Sequence, residues 1–185
     1  MNESSKITIP VPNKWDRSGL PGWSYHSPAL FELERTELFL RHWQIVGHEA
    51  DVPSAGDWIT HDILGERAIV MRGQDGQLRA FHNLCRHRGA RVVDGTSGKC
   101  RSAIVCPFHG WVYNLDGSLR GVSRPESFDA DMDLTKMGLK PVEIEVWFGF
   151  IFLRFHPGPQ PSVAELLSPY AEDFAAYRCD ELVAV

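Results

Sequence analysis

Two short stretches of this chain each place one cysteine and one histidine ahead of a glycine. They are "CRHRG", Cys85 to Gly89, and "CPFHGW", Cys106 to Trp111. Four metal donors split so evenly constrain the fold more than any other feature, because two separate loops must then meet. In an extended segment residues i and i+2 face the same side, so Cys85 and His87, just after "LRAFHNL", are expected to point together. Cys106 and His109 follow "AIVC" across a turn that Pro107 stiffens. Gly89 and Gly110 carry no Cβ, so each backbone can pass close to a bound object. Two adjacent hairpin tips would bring two sulfurs and two imidazoles around one centre.

Three fillings of that centre are open on the residues alone. The loops could hold nothing. A structural Zn²⁺ with Cys₂His₂ is chemically allowed, although zinc fingers usually keep like ligands together, Cys-x₂₋₄-Cys and then His-x₃₋₅-His. A [2Fe–2S] cluster of Rieske type puts two cysteines on one iron and two histidines on the other. A loop giving one of each reaches both irons, and the alternation suits that geometry best. Cys100 and Cys179 have no His or Cys neighbour at ligand spacing and read as ordinary thiols.

Around these stretches the pattern is mainly β. From Gln44, short segments alternate with turn signals: "DWITHDIL", "RAIVM" and "LRAFHNL" are joined by Leu64-Gly65-Glu66 and Asp75-Gly76. "AIVC" and "GWVYNL" then lead into Asp116-Gly117, another hairpin signal. "VEIEVWFGFIFLRF" starts by alternating and ends wholly apolar, as one strand buried on both faces would. Residues 1–22 read as an irregular arm rich in Pro, Ser, Asn and Gly. A helix follows over "ALFELERTELFLRHW", capped by Ser27 with Pro28 at its first position. After the stiff connector "HPGPQP", Ser162 and Glu165 form a capping signature. Apolar residues then recur at helical spacing, with Pro169 kinking or restarting the helix.

The expected division is therefore an arm and helix over 1–43, an antiparallel β-sandwich or barrel over 44–155, and at 156–185 a linker with the start of an incomplete α+β domain. A formal net charge of −5 and a pI near 5.9 argue against a nucleic-acid binder. The N-terminal stretch lacks the apolar core of a secretory signal. The longest apolar run, Val146 to Leu153, falls far short of the roughly 20 residues that span a membrane. A cytoplasmic protein without membrane contact is the expectation.

"CRHRGARV" with "CPFHGWVYNLDGSLRG" resembles the Rieske domain at the N-terminal end of the α subunits of bacterial ring-hydroxylating and related Rieske non-haem iron oxygenases. "HWQIVGHEADVPSAGDW", "RAFHNLCRHRG" and "VWFGFIFL" extend the likeness from about Trp23 to Phe155. The resemblance implies that Cys85 and Cys106 bind one iron, and His87 and His109 the other. It implies no catalytic residue in this stretch: a mononuclear Fe(II) held by two histidines and a carboxylate belongs to a C-terminal domain beyond it. The remaining histidines, His26, His42, His48, His61, His82 and His156, are scattered and form no such triad.

Neutral imidazoles in place of thiolates raise the cluster's potential into a window of roughly −150 to +300 mV. Respiratory Rieske proteins add a disulfide and a serine that stabilise the reduced state. Here Arg88, Phe108 and Trp111 stand near those places, so the low end is expected, with Tyr113 keeping one hydrogen bond to sulfur. Trp111, Phe108 and Trp147 read as core or shielding side chains. Between residues 85 and 101, Arg86, Arg88, Arg91, Lys99 and Arg101 stand against one acidic residue, Asp94, which reads either as a solvated surface with local salt bridges or as a docking patch for an acidic electron donor. The resemblance implies a ferredoxin or reductase as that donor and a homotrimer of the full-length subunit. It also implies single-electron transfer toward an O₂-dependent hydroxylation or demethylation of a small organic molecule. A stand-alone electron carrier is the alternative, and a structural zinc module the second.

Overall fold

In the computed structural model, which describes residues 19–128 and 133–183, ten strands form two antiparallel sheets. The arm expected over 1–22 falls largely on residues 1–18, outside the described residues. The larger sheet contains β1 (Gln44–His48), β2 (Asp57–Ile63), β3 (Glu66–Arg72), β4 (Leu78–His82), β5 (Ser97–Lys99), β9 (Pro141–Trp147) and β10 (Phe150–Arg154). Its order is β1-β10-β9-β4-β3-β2-β5. The smaller sheet is the sequential set β6 (Ile104–Val105), β7 (Val112–Tyr113) and β8 (Leu119–Gly121).

Strand β3 shows how the layers are sorted. Its side chains alternate across the pleat, and both faces are covered. Ala68 and Val70 pack with Leu40, Ile59, Ile151 and Leu153 on one side. Ile69 and Met71 pack on the other with Phe81 of β4 and with Ile104, Trp111 and Tyr113, which reach in from the smaller sheet and the loop before β7. Cys85 and Cys106 belong to this second cluster, so the motif loops grow out of the core between the two sheets.

Two expectations about elements need correction. The stretch "VEIEVWFGFIFLRF" is a hairpin, not one strand: β9 and β10 pair antiparallel, with Phe150 opposite Trp147. Phe148 (φ +48°) and Gly149 (φ +80°) both adopt left-handed backbone, as a two-residue I′ turn requires. Phenylalanine gives no turn signal in sequence. The glycine is compelled twice, because a Cβ there would also sit 2.1 Å from His48 Nε2. The β2–β3 turn uses the same device at Leu64 and Gly65.

The N-terminal helix is shorter than its breaker-free sequence suggests. α1 (Pro28–Glu34) is capped by Ser27, whose hydroxyl accepts from the Leu30 N–H. It passes at Arg35–Phe39 into one wide turn closed by Leu40 N–H to the Arg35 carbonyl. That extra residue per turn delivers Leu40, fully buried, into the core. Trp43 leaves the helix; its indole N–H donates to the Pro161 carbonyl and its ring lies 4.4 Å from the Arg154 guanidinium carbon.

At the C-terminal end, α2 (Val163–Leu167) carries the full capping box of Ser162 and Glu165. A turn at Ser168–Tyr170 then restarts the chain as α3 (Ala171–Tyr177) at Pro169. These helices pack back on the β9–β10 hairpin through buried Val163, through its N–H to Glu145 at 2.7 Å, and through Phe174 against Trp147. No helix among the described residues is long and apolar enough to cross a membrane.

Candidate metal centre

The two motif loops share one backbone frame. In the first, Cys85 N–H donates to the Ala90 carbonyl and Gly89 N–H to the Cys85 carbonyl, at 2.7 and 2.9 Å. In the second, Cys106 N–H donates to the Trp111 carbonyl and Gly110 N–H to the Cys106 carbonyl, at 2.8 and 3.0 Å. Each is a cysteine, three turn residues and a glycine at φ +70°. The expected extended Cys-x-His geometry is therefore wrong for the first loop, which turns as tightly as the second. Histidine takes the middle turn position in one loop and the last in the other, and that is the origin of the unequal spacing.

The expected donors meet as two pairs, Cys85 with Cys106 and His87 with His109. Cys85 and Cys106 lie deep, 4% and 2% exposed, whereas His87 and His109 are partly exposed above them. The two imidazoles meet through Nδ1 atoms 3.1 Å apart, ring planes at 73°. Tyr113, fully buried, accepts from the Arg86 N–H at 3.0 Å and directs its own hydroxyl to Cys85 Sγ at 3.1 Å, so the expected hydrogen bond to sulfur is present. All four cysteines are free thiols.

Electrostatics favour the neutral forms of Cys85 and His87 before anything binds. Burial pushes the Cys85 thiol up, partly offset by the Tyr113 hydroxyl, and the neighbouring Cys106 thiol adds to the rise. Desolvation, followed by the charges of His109 and Arg88, holds the His87 imidazole below its usual range. A neutral imidazole with a lone pair facing inward is the form that ligates metal.

Residues 42–137, more than half of the chain, match the Rieske [2Fe-2S] domain family. The chain belongs to that family. Its relatives include the glycine betaine monooxygenase oxygenase subunit of Chromohalobacter salexigens, 37% identical over 163 residues, which are 88% of this chain and 36% of that protein. The carnitine monooxygenase oxygenase subunit of Escherichia coli K12 is 37% identical over 138 residues, 75% of this chain and 36% of that protein. Among solved structures, the apo form of a quaternary ammonium Rieske monooxygenase superposes with a TM-score of 0.77 at 33% identity, over 84% of this chain and 44% of that one. Naphthalene 1,2-dioxygenase from Rhodococcus sp. bound to indole gives 0.72 at 31%, over 78% and 33%. The chain thus spans about a third of the length of these curated relatives.

The geometry fits a Rieske cluster better than a single ion. Two nitrogens at about 2.0–2.1 Å from one tetrahedral metal lie about 3.3 Å apart, close to the 3.1 Å observed. Sulfurs below and nitrogens above give two donor pairs at different depths. Among the described residues no three His, Cys, Asp or Glu side chains gather around one point, as a tetrahedral zinc would need. A binuclear cluster asks for only two protein donors on each metal.

Asn83 carries a role that its place in the sequence did not announce. Fully buried, it accepts from the Val92 and Val93 N–H groups at 3.0 and 3.1 Å and donates to the Val93 carbonyl at 2.9 Å. These three bonds tie the far end of the Cys85 loop to the end of β4. A polar residue inside "AFHNL", two places before a ligand candidate, was the available signal. Local salt bridges account for part of the basic patch. Arg91 pairs with Asp62 at 2.6 Å and Lys99 with Asp57 at 2.9 Å, leaving Arg86, Arg88 and Arg101 without a carboxylate among the described residues. Phe108 is not core; 61% exposed, it caps the His109 ring at 3.8 Å. Trp147 packs in a separate aromatic group with Phe148 and Phe174.

Proposed function

We propose that Cys85 and Cys106 bind one iron of the cluster through their thiolates, and that His87 and His109 bind the other through Nδ1. The facing Nδ1 atoms above a buried thiol pair carry this reading. When bound, the cluster supplies reversible one-electron chemistry. The chain's own residues do the rest: the deep cysteines exclude water from the sulfur side, and the Tyr113 hydroxyl donates to Cys85 Sγ, favouring the reduced state. The two imidazoles form the partly exposed edge where electrons pass.

Within a longer oxygenase subunit, residues 44–155 would be the electron-transfer domain, with 1–43 as arm and helix and 156–185 leading toward the catalytic part. That part would hold the mononuclear iron and perform O₂-dependent monooxygenation of a small substrate. The names of the relatives at 37% identity favour a quaternary ammonium compound over an aromatic ring. Electrons would come from a ferredoxin or reductase docking by acidic groups against Arg86, Arg88 and Arg101, in a cytoplasmic homotrimer. Iron and acid-labile sulfide analysis with EPR of the dithionite-reduced protein tests the assignment. Two irons, two sulfides and a low average g value are expected, and a colourless, zinc-loaded, EPR-silent protein would overturn it.

A further inference from the structure

Trp111 closes the "CPFHGW" stretch and is 1% exposed, so its ring touches neither solvent nor a docking partner. Its indole N–H is buried and has no acceptor among the described residues. A buried donor left unpaired by the protein is destabilising, a penalty that a phenylalanine or leucine in the same space would avoid. Hydrogen bonding to other protein groups is therefore not what holds this side chain. Its ring face is engaged: the indole lies parallel to the His87 imidazole, planes 10° apart and centroids 5.0 Å apart. Phe128 meets Trp111 edge-on at 5.6 Å and His87 edge-on at 6.0 Å, closing the stack from the side.

The contrast with His109 is instructive. Its ring neighbour, Phe108, is tilted by 40° and largely exposed, so it covers that imidazole without fixing its plane. The Trp111 carbonyl also accepts from the Cys106 N–H at 2.8 Å. One residue thus anchors the base of the second loop by its backbone and the histidine of the first loop by its side chain.

We propose that Trp111 is a positioning residue whose indole face sets the ring plane of His87, locking the first loop's nitrogen donor to the second loop. The inference rests on the assignment of His87 as an iron ligand. An aromatic face, rather than bulk alone, is what the position requires.

The test compares Trp111→Phe, which keeps a stacking face, with Trp111→Leu, which does not, in the full chain. The readouts are iron and sulfide content, pulsed-EPR nitrogen couplings of the reduced centre and its midpoint potential. Trp111→Phe should match the unmodified protein. Trp111→Leu should either lose the cluster or shift one of the two histidine nitrogen couplings together with the potential. If both variants match the unmodified protein, if both lose the cluster, or if only the phenylalanine variant changes, the proposal is wrong. Absence of iron and sulfide from the unmodified protein would remove the ligand assignment itself, a failure distinct from these.

Discussion

The loops at Cys85 and Cys106 have the same backbone but opposite supports. The first is braced from inside by Asn83, whose three hydrogen bonds are sealed in the core. The second is stiffened by Pro107 and tied at its rim by the exposed Ser123 hydroxyl, which donates to the His109 carbonyl. Equal frames show that the turn is set by local chemistry, a glycine in left-handed backbone closing on a cysteine carbonyl. Unequal braces show that each loop's placement is set by whatever the surrounding fold offers. Histidine register then distinguishes two otherwise interchangeable tips.

The strongest way to break the comparison is to erase the register difference. The double variant H87A/R88H moves the first loop's imidazole to the last turn position, where the second loop carries its own. The expected result is loss of the cluster, read as iron and sulfide content, with folding followed separately by circular dichroism. Retention of two irons and the native EPR spectrum would show that register does not matter.

The braces come next. Asn83→Ala leaves two N–H groups and one carbonyl unpaired in the core, and a cost of about 2–4 kcal/mol follows. Ser123→Ala, at the surface, should cost less than about 1 kcal/mol. Chemical denaturation of both variants measures the difference, and equal costs would refute the inside-versus-rim distinction.

Equality is the prediction for the two glycines. A Cβ added at Gly89 or at Gly110 would meet no neighbouring group within 4 Å, and both residues sit at φ +70°. Alanine at either position therefore meets backbone strain alone, about 1–2 kcal/mol. Costs that differ by as much as this strain itself would mean the frames are not equivalent.

The smallest expected effect concerns histidines away from the tips. Burial holds His61 and His82 below the usual imidazole range, opposed by Asp62 and Glu66 respectively. The unfolded chain takes up protons near about pH 6.5 that these folded side chains resist. Their contribution to stability is therefore complete above that pH and declines as pH falls below it. Replacing His82 with Gln should flatten the loss of stability between about pH 7 and 5, and an unchanged slope would exclude His82 as its source.

Much of this protein was legible in its residues. The two Cys/His-bearing turns, the hairpin turns at Asp75-Gly76 and Asp116-Gly117, the Ser27 cap and the Ser162–Glu165 box are local signals, because each depends on chemistry within a few residues. The turn at Phe148-Gly149 was hidden because a phenylalanine in left-handed backbone is tolerated only when neighbouring strands hold it. The early end of the helix was hidden for a related reason: burial of Leu40 rewards a wide turn that no local preference favours.

What the sequence by itself determined was the presence of two cysteine–histidine pairs and their division between two glycine-closed turns, since side-chain chemistry and left-handed backbone are properties of individual residues. Only the tertiary structure decided that the thiols lie deep and the imidazoles above them, that Asn83 holds one loop, and that Trp111 lies flat on His87. Those relations join residues up to 24 positions apart. They follow from the packing of one sheet on another, a contact between distant segments for which no single stretch of chain carries a signal.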